Sequence, residues 1–210
     1  MRILPILLDA LFPPRETELL VRALDADALS RLIEPKIIRN EEDFVIGLLP
    51  YALDAVRACI LEAKFHDNMR AAQLLGAALS DFLYEFLNES APFIYDGPIF
   101  LPLPLSKKRA KERGYNQAER IVRAAVSMIP QAALDTGLLS RTRDTAPQTT
   151  LGGQERRRNL VGAFAATPCD PIRTYIMVDD VTTTGSTIAA ARTAMREGGG
   201  VHLIAVTLAY

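Results

Sequence analysis

An apolar run, Tyr175-Ile176-Met177-Val178, ends in two adjacent carboxylates, Asp179 and Asp180, and passes at once into Val181-Thr182-Thr183-Thr184-Gly185-Ser186-Thr187. No other stretch restricts the fold so strongly. Residues 174–178 read as a short buried strand. Beyond the hydroxyl-rich turn, Ile188, Ala191, Arg192 and Met195 recur at helical spacing. Gly198-Gly199-Gly200 then stops the helix, because glycine takes the left-handed cap conformation without steric cost. Val201, Leu203, Ile204, Val206 and Leu208 make a second apolar run. This order predicts a βαβ unit whose two strands lie parallel in a buried sheet. Ligands of open parallel sheets sit beyond the carboxyl ends of the strands, and Asp179 and Asp180 fall at that end.

The same residues suggest a chemistry. Where a turn enters a helix, the first backbone N–H groups have no intrahelical partner and, with the helix dipole, favour an anion. Thr183, Thr184, Ser186 and Thr187 add hydroxyl donors, and Gly185 permits close approach of the backbone. Two neighbouring carboxylates can accept hydrogen bonds from vicinal hydroxyls, and such charge-assisted bonds are the stronger kind. A ribose carrying a 5-phosphate needs both features. The structural alternative is a helix cap or turn, which Asp followed by Thr, Gly and Ser also makes. A Walker phosphate loop is excluded because no lysine follows Gly185, and the glycine spacing of a dinucleotide fingerprint is absent.

The tract from Val178 through Thr187 resembles the phosphoribosyl-pyrophosphate (PRPP) motif of the type I phosphoribosyltransferases. The resemblance implies that Asp179 and Asp180 are the catalytic pair that holds the ribose hydroxyls. It implies that Val181, Thr182, Thr183, Thr184, Gly185, Ser186 and Thr187 bind the PRPP 5-phosphate. A second segment, Ile99-Phe100-Leu101-Pro102-Leu103-Pro104-Leu105, reads as a strand cut short by proline. It leads into Lys107, Lys108, Arg109, Lys111 and Arg113, then Gly114-Tyr115-Asn116-Gln117 and a helix over about 118–128. A third block carries Arg141-Thr142-Arg143, Pro147-Gln148, Glu155-Arg156-Arg157-Arg158-Asn159 and Gly162-Ala163-Phe164. Together the blocks resemble the ComF family, which shares the phosphoribosyltransferase fold and is named for a role in bacterial competence for DNA uptake. By that resemblance, residues 107–113 occupy the place of the pyrophosphate loop, and residues 141–158, with Gly152-Gly153 as a hinge, that of a mobile loop that closes over substrate. Lys107, Lys108, Arg113 and Arg156 are the implied pyrophosphate contacts. Two other readings stay open for these basic runs: a solvated face and contact with a nucleic-acid backbone.

The implied fold is α/β, a parallel-sheet type I phosphoribosyltransferase core with a helical N-terminal cap or hood. Its expected divisions are residues 1–49, a helical segment; 50–97, a helical hood; and 98–210, the core. Relatives in the ComF family often carry a cysteine-rich zinc ribbon after a Leu-Phe-Pro-Pro stretch. Here Leu11-Phe12-Pro13-Pro14 runs into Arg15-Glu16-Thr17-Glu18 with no CxxC, so no zinc is expected. Helical spacing predicts a helix over about 18–33, with Leu19, Leu20, Leu24, Leu29 and Leu32 as packing residues. A second helix, after Tyr51, packs through Val56, Cys59, Ile60 and Ala63. A third opens near Asn68 or Met69 and packs through Leu74, Leu75, Leu79, Phe82, Leu83 and Phe86. Lys64-Phe65 matches a family feature to which the residues themselves assign no role.

The resemblance further implies PRPP bound with Mg2+, the ion held mainly by the ligand's pyrophosphate and ribose hydroxyls, with no direct metal ligand from the protein. Phosphoribose would pass to an unidentified nitrogen acceptor, a base or amine. Glu112 is a weak candidate for a general base. The alternative is a non-catalytic PRPP- or nucleotide-binding protein that assists DNA uptake. With 24 Lys and Arg against 25 Asp and Glu, the chain lacks the basic excess of a dedicated duplex binder. Weak contact with single-stranded nucleic acid stays open, as does a homodimer. Cys59, Cys169, His66 and His202 fit no familiar metal spacing and no disulfide framework. The apolar start, residues 1–9, is too short and too interrupted for a signal peptide, and no segment reaches membrane-span length. A cytoplasmic protein without a membrane partner is expected.

Overall fold

The computed structural model describes residues 13–39, 43–90, 97–143, 160–182 and 184–210. Its centre is a six-stranded sheet of β1 (Lys36–Arg39), β2 (Phe44–Leu49), β3 (Ile99–Pro102), β4 (Ala133–Leu134), β7 (Thr174–Val181) and β8 (His202–Ala209) in the order β1-β2-β8-β7-β3-β4. Only β1 runs antiparallel to its neighbour; β2, β8, β7, β3 and β4 are parallel. A separate antiparallel pair joins β5 (Leu139–Arg141) to β6 (Phe164–Ala166). The helices are α1 (Glu16–Ala23), α2 (Asp54–Phe65), α3 (Met69–Ser90), α4 (Lys107–Arg113), α5 (Gln117–Val126) and α6 (Ser186–Glu197). The protein is therefore a mixed α/β fold built on a mostly parallel sheet.

Both faces of the sheet are covered, as parallel strands require. Side chains alternate along β7. Ile176 and Val178 join Val206 and Leu208 of β8 under α2, α3 and α5. Tyr175 and Met177 face the other way, against Ile188, Ala191 and Met195 of α6 and Phe164 of β6. Connections therefore leave the middle of the sheet in two directions. From β7 the chain crosses through α6, on one face, to β8; from β3 it crosses through α5, on the other face, to β4. The crevice beyond the carboxyl ends of β7 and β3 is thus a topological switch point, where ligands of such sheets bind.

Pro102 closes β3 without loss. Leu103 N–H donates to Val178 O at 2.8 Å on the β7 side, so position 102 turns its missing donor toward the other edge. There β4 pairs only with Ile99 and Phe100. Gly76 lets α3 and α5 touch: a Cβ at that position would stand 2.6 Å from the Ala124 Cβ and 2.9 Å from Ile121 O.

The structure departs from the sequence reading in three places. The helix expected over about 18–33 is shorter, ending at Ala23, and is followed by a turn and a 3-10 turn over Ser30–Leu32; of the expected packing residues Leu29 is buried and Leu24 and Leu32 pack against the core, whereas Leu19 and Leu20 are exposed and Val21 is buried in their place. Residues 36–39 and 44–49, placed within a helical segment, are strands, and β2 pairs with β8. The apolar residues from Val45 to Leu49 are buried, which is the pattern of an interior strand rather than of a helix face. The basic run 107–113, expected as a loop, is α4: the Ser106 Oγ accepts from Arg109 N–H at its start, and Gly114 ends it at φ 79°. Residues 1–12 lie outside the described residues, as do 144–159, which take in Arg156, Gly152-Gly153 and most of the expected mobile loop.

Candidate functional site

The carboxyl end of β7 gathers five elements. Strand pairing continues through the two acids, with Asp179 opposite Thr207 and Val181 opposite Ala209, so Asp179 and Asp180 point to opposite faces of the sheet. Beside them Gly185, the residue that precedes α6, holds φ 69° and provides no side-chain cap. The Thr182 hydroxyl oxygen accepts from Gly185 N–H at 2.9 Å and closes the turn. Thr184 Oγ1 and Ser186 Oγ lie 2.7 Å apart. The first turn of α6 thus has no side-chain cap, with Thr184 exposed beside it. Thr183 lies outside the described residues.

Asp180 is 5% exposed. Three donors hold it. Lys64 Nζ, from the last turn of α2, stands 2.8 Å from Oδ2. Gln117 Nε2, at the start of α5, donates to the same oxygen at 2.9 Å. Val181 N–H donates to Oδ1 at 2.7 Å. Burial alone would raise this carboxyl, but the Lys64 charge and these hydrogen bonds bring it below the ordinary carboxylate value. Asp179 is half-buried and its Oδ1 accepts from Asp180 N–H at 2.8 Å. Burial, and then the charge of Asp180, push it up to about 7. Two adjacent carboxyl groups are thereby driven apart in proton affinity.

Around this pair lies a short chain of polar contacts. Asn116 caps α5 by accepting from Ala118 N–H, and its Nδ2 donates to Leu103 O at 3.1 Å, fixing α5 to the end of β3. Arg113 donates to Gln117 Oε1, so Gln117 joins Arg113 to Asp180. Burial lowers the Arg113 guanidinium while the charge of Asp180 opposes this. The Arg113 guanidinium also lies 5.4 Å from the centre of the exposed Phe65 ring. Tyr115 Oη accepts from Asp67 N–H at 2.9 Å, and Arg120 stacks on its ring and pairs with Asp67. The connection between α2 and α3 is thereby fastened to α4 and α5.

Of the basic residues named from sequence, the structure brings Arg113 to the acidic pair. Lys107 and Lys108 are exposed on α4, with Lys108 Nζ 3.9 Å from Glu112. Glu112 is likewise exposed on α4. Lys64 and Gln117 are the functional candidates that spacing did not reveal. Lys64 was visible only as part of a family feature, and its partner lies 116 positions away.

Among the described residues, no group of three or more His, Cys, Asp and Glu side chains could hold a metal ion. Cys59 is buried in α2, where burial pushes its thiol up to about 12. Cys169 sits in the loop before β7, its Sγ near Thr167 O and Met195 O. No helix among the described residues is long and apolar enough to cross a membrane.

No family model matches the chain. It is 37% identical over 99 residues to the DNA utilization protein YhgH of Escherichia coli O157:H7, covering 47% of this chain and 43% of that protein. It is 33% identical over 102 residues to Competence protein F of Haemophilus influenzae, covering 47% and 44%. The chain thus spans less than half the length of the curated relatives it matches. These likenesses support the ComF-family resemblance.

Proposed function

We propose that the switch-point crevice binds PRPP, in a core of the type I phosphoribosyltransferase kind. The observation that carries this reading is the meeting of two unequal carboxylates with the uncapped N-terminus of α6 at the carboxyl end of β7. The α6 amides and the Thr184 and Ser186 hydroxyls take the 5-phosphate; the acidic end of β7 takes the ribose hydroxyls. Arg113 is the described cation placed for pyrophosphate. Among the described residues the acidic pair has no third carboxylate, His or Cys beside it, so magnesium would enter with PRPP, carried on its pyrophosphate and hydroxyls.

Transfer would break the bond from the anomeric carbon to pyrophosphate, which leaves with the electron pair. The lone pair of a nitrogen acceptor would form the new bond, and a proton would then be lost from that nitrogen. Preorganised negative charge beside the anomeric carbon favours the cationic character of this step. The names of the relatives favour a second reading, in which the same pocket binds PRPP or a nucleotide without turnover and serves DNA uptake or utilization.

Calorimetric titration of the full chain with Mg-PRPP tests the shared element. Saturable binding is expected; no binding overturns the transfer reading and leaves the second with a nucleotide alone as its ligand. Pyrophosphate release measured across purine, pyrimidine and simple amine acceptors then separates them. Release with any acceptor supports transfer, and its absence despite binding supports the second.

A further inference from the structure

Two acids that together hold vicinal hydroxyls each need a free acceptor, and Asp180 begins without one on its Oδ2. A carboxylate offers about four acceptor positions, about two on each oxygen. Lys64 Nζ at 2.8 Å and Gln117 Nε2 at 2.9 Å both lie on Oδ2, while Val181 N–H takes Oδ1. The Asp180 side chain is 8% exposed, so a hydroxyl reaches Oδ2 only when one of these donors leaves. Lys64 is the donor free to leave. Val181 N–H belongs to the backbone of β7, and Gln117 is buried and is held also by Arg113. The Lys64 side chain is 25% exposed and carries its charge on a flexible four-carbon stem. Its ammonium has three N–H donors, and the contact to Asp180 uses one.

The ligand's own covalent structure gives the ammonium a destination. In PRPP the pyrophosphate is attached to the carbon next to the one that bears the 2-hydroxyl. A 2-hydroxyl received by Asp180 therefore brings pyrophosphate oxygens alongside the same acid. Arg113 reaches this junction through Gln117, so a second cation already faces that end of the sugar.

Resting on the PRPP reading above, we propose that Lys64 is handed from Asp180 to the pyrophosphate as the ligand enters, and that the place it leaves on Oδ2 accepts a ribose hydroxyl beside Asp179. Both acids then hold the sugar. No covalent bond changes and no proton is transferred; one charge-assisted hydrogen bond of the ammonium is exchanged for another. The handover links the two ends of the ligand. Capture of a hydroxyl by Asp180 requires a new acceptor for Lys64, and the pyrophosphate supplies it. Ribose 5-phosphate carries the same sugar and the same 5-phosphate but offers no such acceptor, so it leaves Lys64 on the acid. A residue at the end of α2, outside the basic run 107–113, thereby selects PRPP over ribose 5-phosphate.

The test titrates the full chain, with magnesium present, with PRPP and with ribose 5-phosphate, and repeats both titrations on Lys64→Met, Asp180→Asn and the double variant Asp180→Asn/Lys64→Met. Lys64→Met is expected to lose at least tenfold in PRPP affinity while ribose 5-phosphate binds as well as to the parent or better, because Oδ2 is vacant. A lysine that only docks α2 against β7 predicts instead equal losses for the two ligands. Asp180→Asn is expected to weaken PRPP binding, since one of the two hydroxyl acceptors is lost. Adding Lys64→Met to Asp180→Asn is expected to weaken PRPP binding further and to leave ribose 5-phosphate within about threefold. The double variant leaves no unpaired charge at the junction, so it carries the test if the single Lys64→Met protein does not fold. Equal losses for the two ligands on removing Lys64, or an unchanged PRPP affinity, overturn the handover while PRPP binding by the unmodified chain still stands. Failure of the unmodified chain to bind Mg-PRPP is a different result: it removes the PRPP reading itself, and the handover with it.

Discussion

Glu62 and Asp180 are both buried carboxylates held by a basic side chain, and both depend on the last turn of α2, yet only one lies in the proposed site. Glu62 is fully buried and receives four donors: Arg15 Nε at 3.0 Å, Arg15 Nη2 at 2.8 Å, Thr17 Oγ1 at 2.6 Å and Asn68 Nδ2 at 3.1 Å. Its acceptor capacity is full. Burial would raise its carboxyl, but the Arg15, Thr17 and Asn68 bonds bring it down to about 2. It locks α1 and the α2–α3 connection together. Asp180 receives three donors and has a second acid beside it. Burial and pairing are therefore common to a structural carboxylate and to one of the proposed site. What separates them is the neighbouring Asp179, a carboxyl whose remaining acceptors face a crevice and an open helix end.

The largest expected effect breaks the structural half of this comparison. Glu62→Gln removes the buried countercharge of Arg15 and leaves the guanidinium to Glu18, 3.1 Å away. The cost is expected near the low end of the range for breaking a buried pair, about 3 kcal/mol, because the Arg15 side chain is 46% exposed and can regain water. Urea unfolding measures it. Mg-PRPP affinity of the folded variant should stay at the parental value; a tenfold loss would place Glu62 in the site and dissolve the contrast.

A smaller effect sharpens the contrast through pH. The folded Glu62 carboxyl lies below its unfolded value, so its contribution is present above about pH 4.5 and is lost as pH falls toward about 2. Asp179 has the opposite sign. Its folded value is raised, so its protonated form favours the native state, and stability declines as pH rises from about 4 to about 7. Asp179→Asn should remove this decline and leave the acid limb unchanged. The gain at pH 8 is expected at about 1–2 kcal/mol, less than the full shift implies because the two acids are coupled. Urea midpoints of parent and variant at pH 4 and pH 8 check this, and parallel profiles would mean that Asp179 is not strained by its neighbour.

The sequence made the acid end of β7 legible and hid what holds it. Residues 174–178 read as strand because they are apolar; the strand runs on to Val181 because β8 supplies Thr207 and Ala209 as partners, a tertiary fact. The helix after Gly185 and the parallel strand beyond it were readable from glycine placement and periodicity. So were α2 and the opening of α3 at Asn68, whose Oδ1 accepts from Ala71 N–H. The β1–β2 pair was missed although Val45, Ile46, Leu48 and Leu49 formed a usable apolar run; Gly47 weakens that signal, and it is there because the Tyr210 ring packs where its Cβ would be. The capped ends of α4, at Ser106 and Gly114, were in the sequence but were outweighed by the family resemblance, which puts a loop there. The Lys64–Asp180 pair could not be read at all. A lone lysine closing an apolar helix looks like a favourable C-terminal charge, and only the packing of α2 onto the sheet delivers it to Asp180.

The smallest expected effect asks where the site ends. Tyr115 stands two residues from Arg113 and two from Gln117, but its contacts run outward, to Asp67 N–H and to the Arg120 guanidinium 4.4 Å from the centre of its ring. As Glu62 does, it fastens the α2–α3 connection. Tyr115→Phe keeps the ring under Arg120 and removes one acceptor from an exposed N–H. The cost should be about 1 kcal/mol, and Mg-PRPP affinity should be unchanged. A clear loss of affinity with stability preserved would extend the site outward along this connection. The contrast would then lie between carboxylates with and without a second acid, and no longer between a structural half and a functional half of the same helix end.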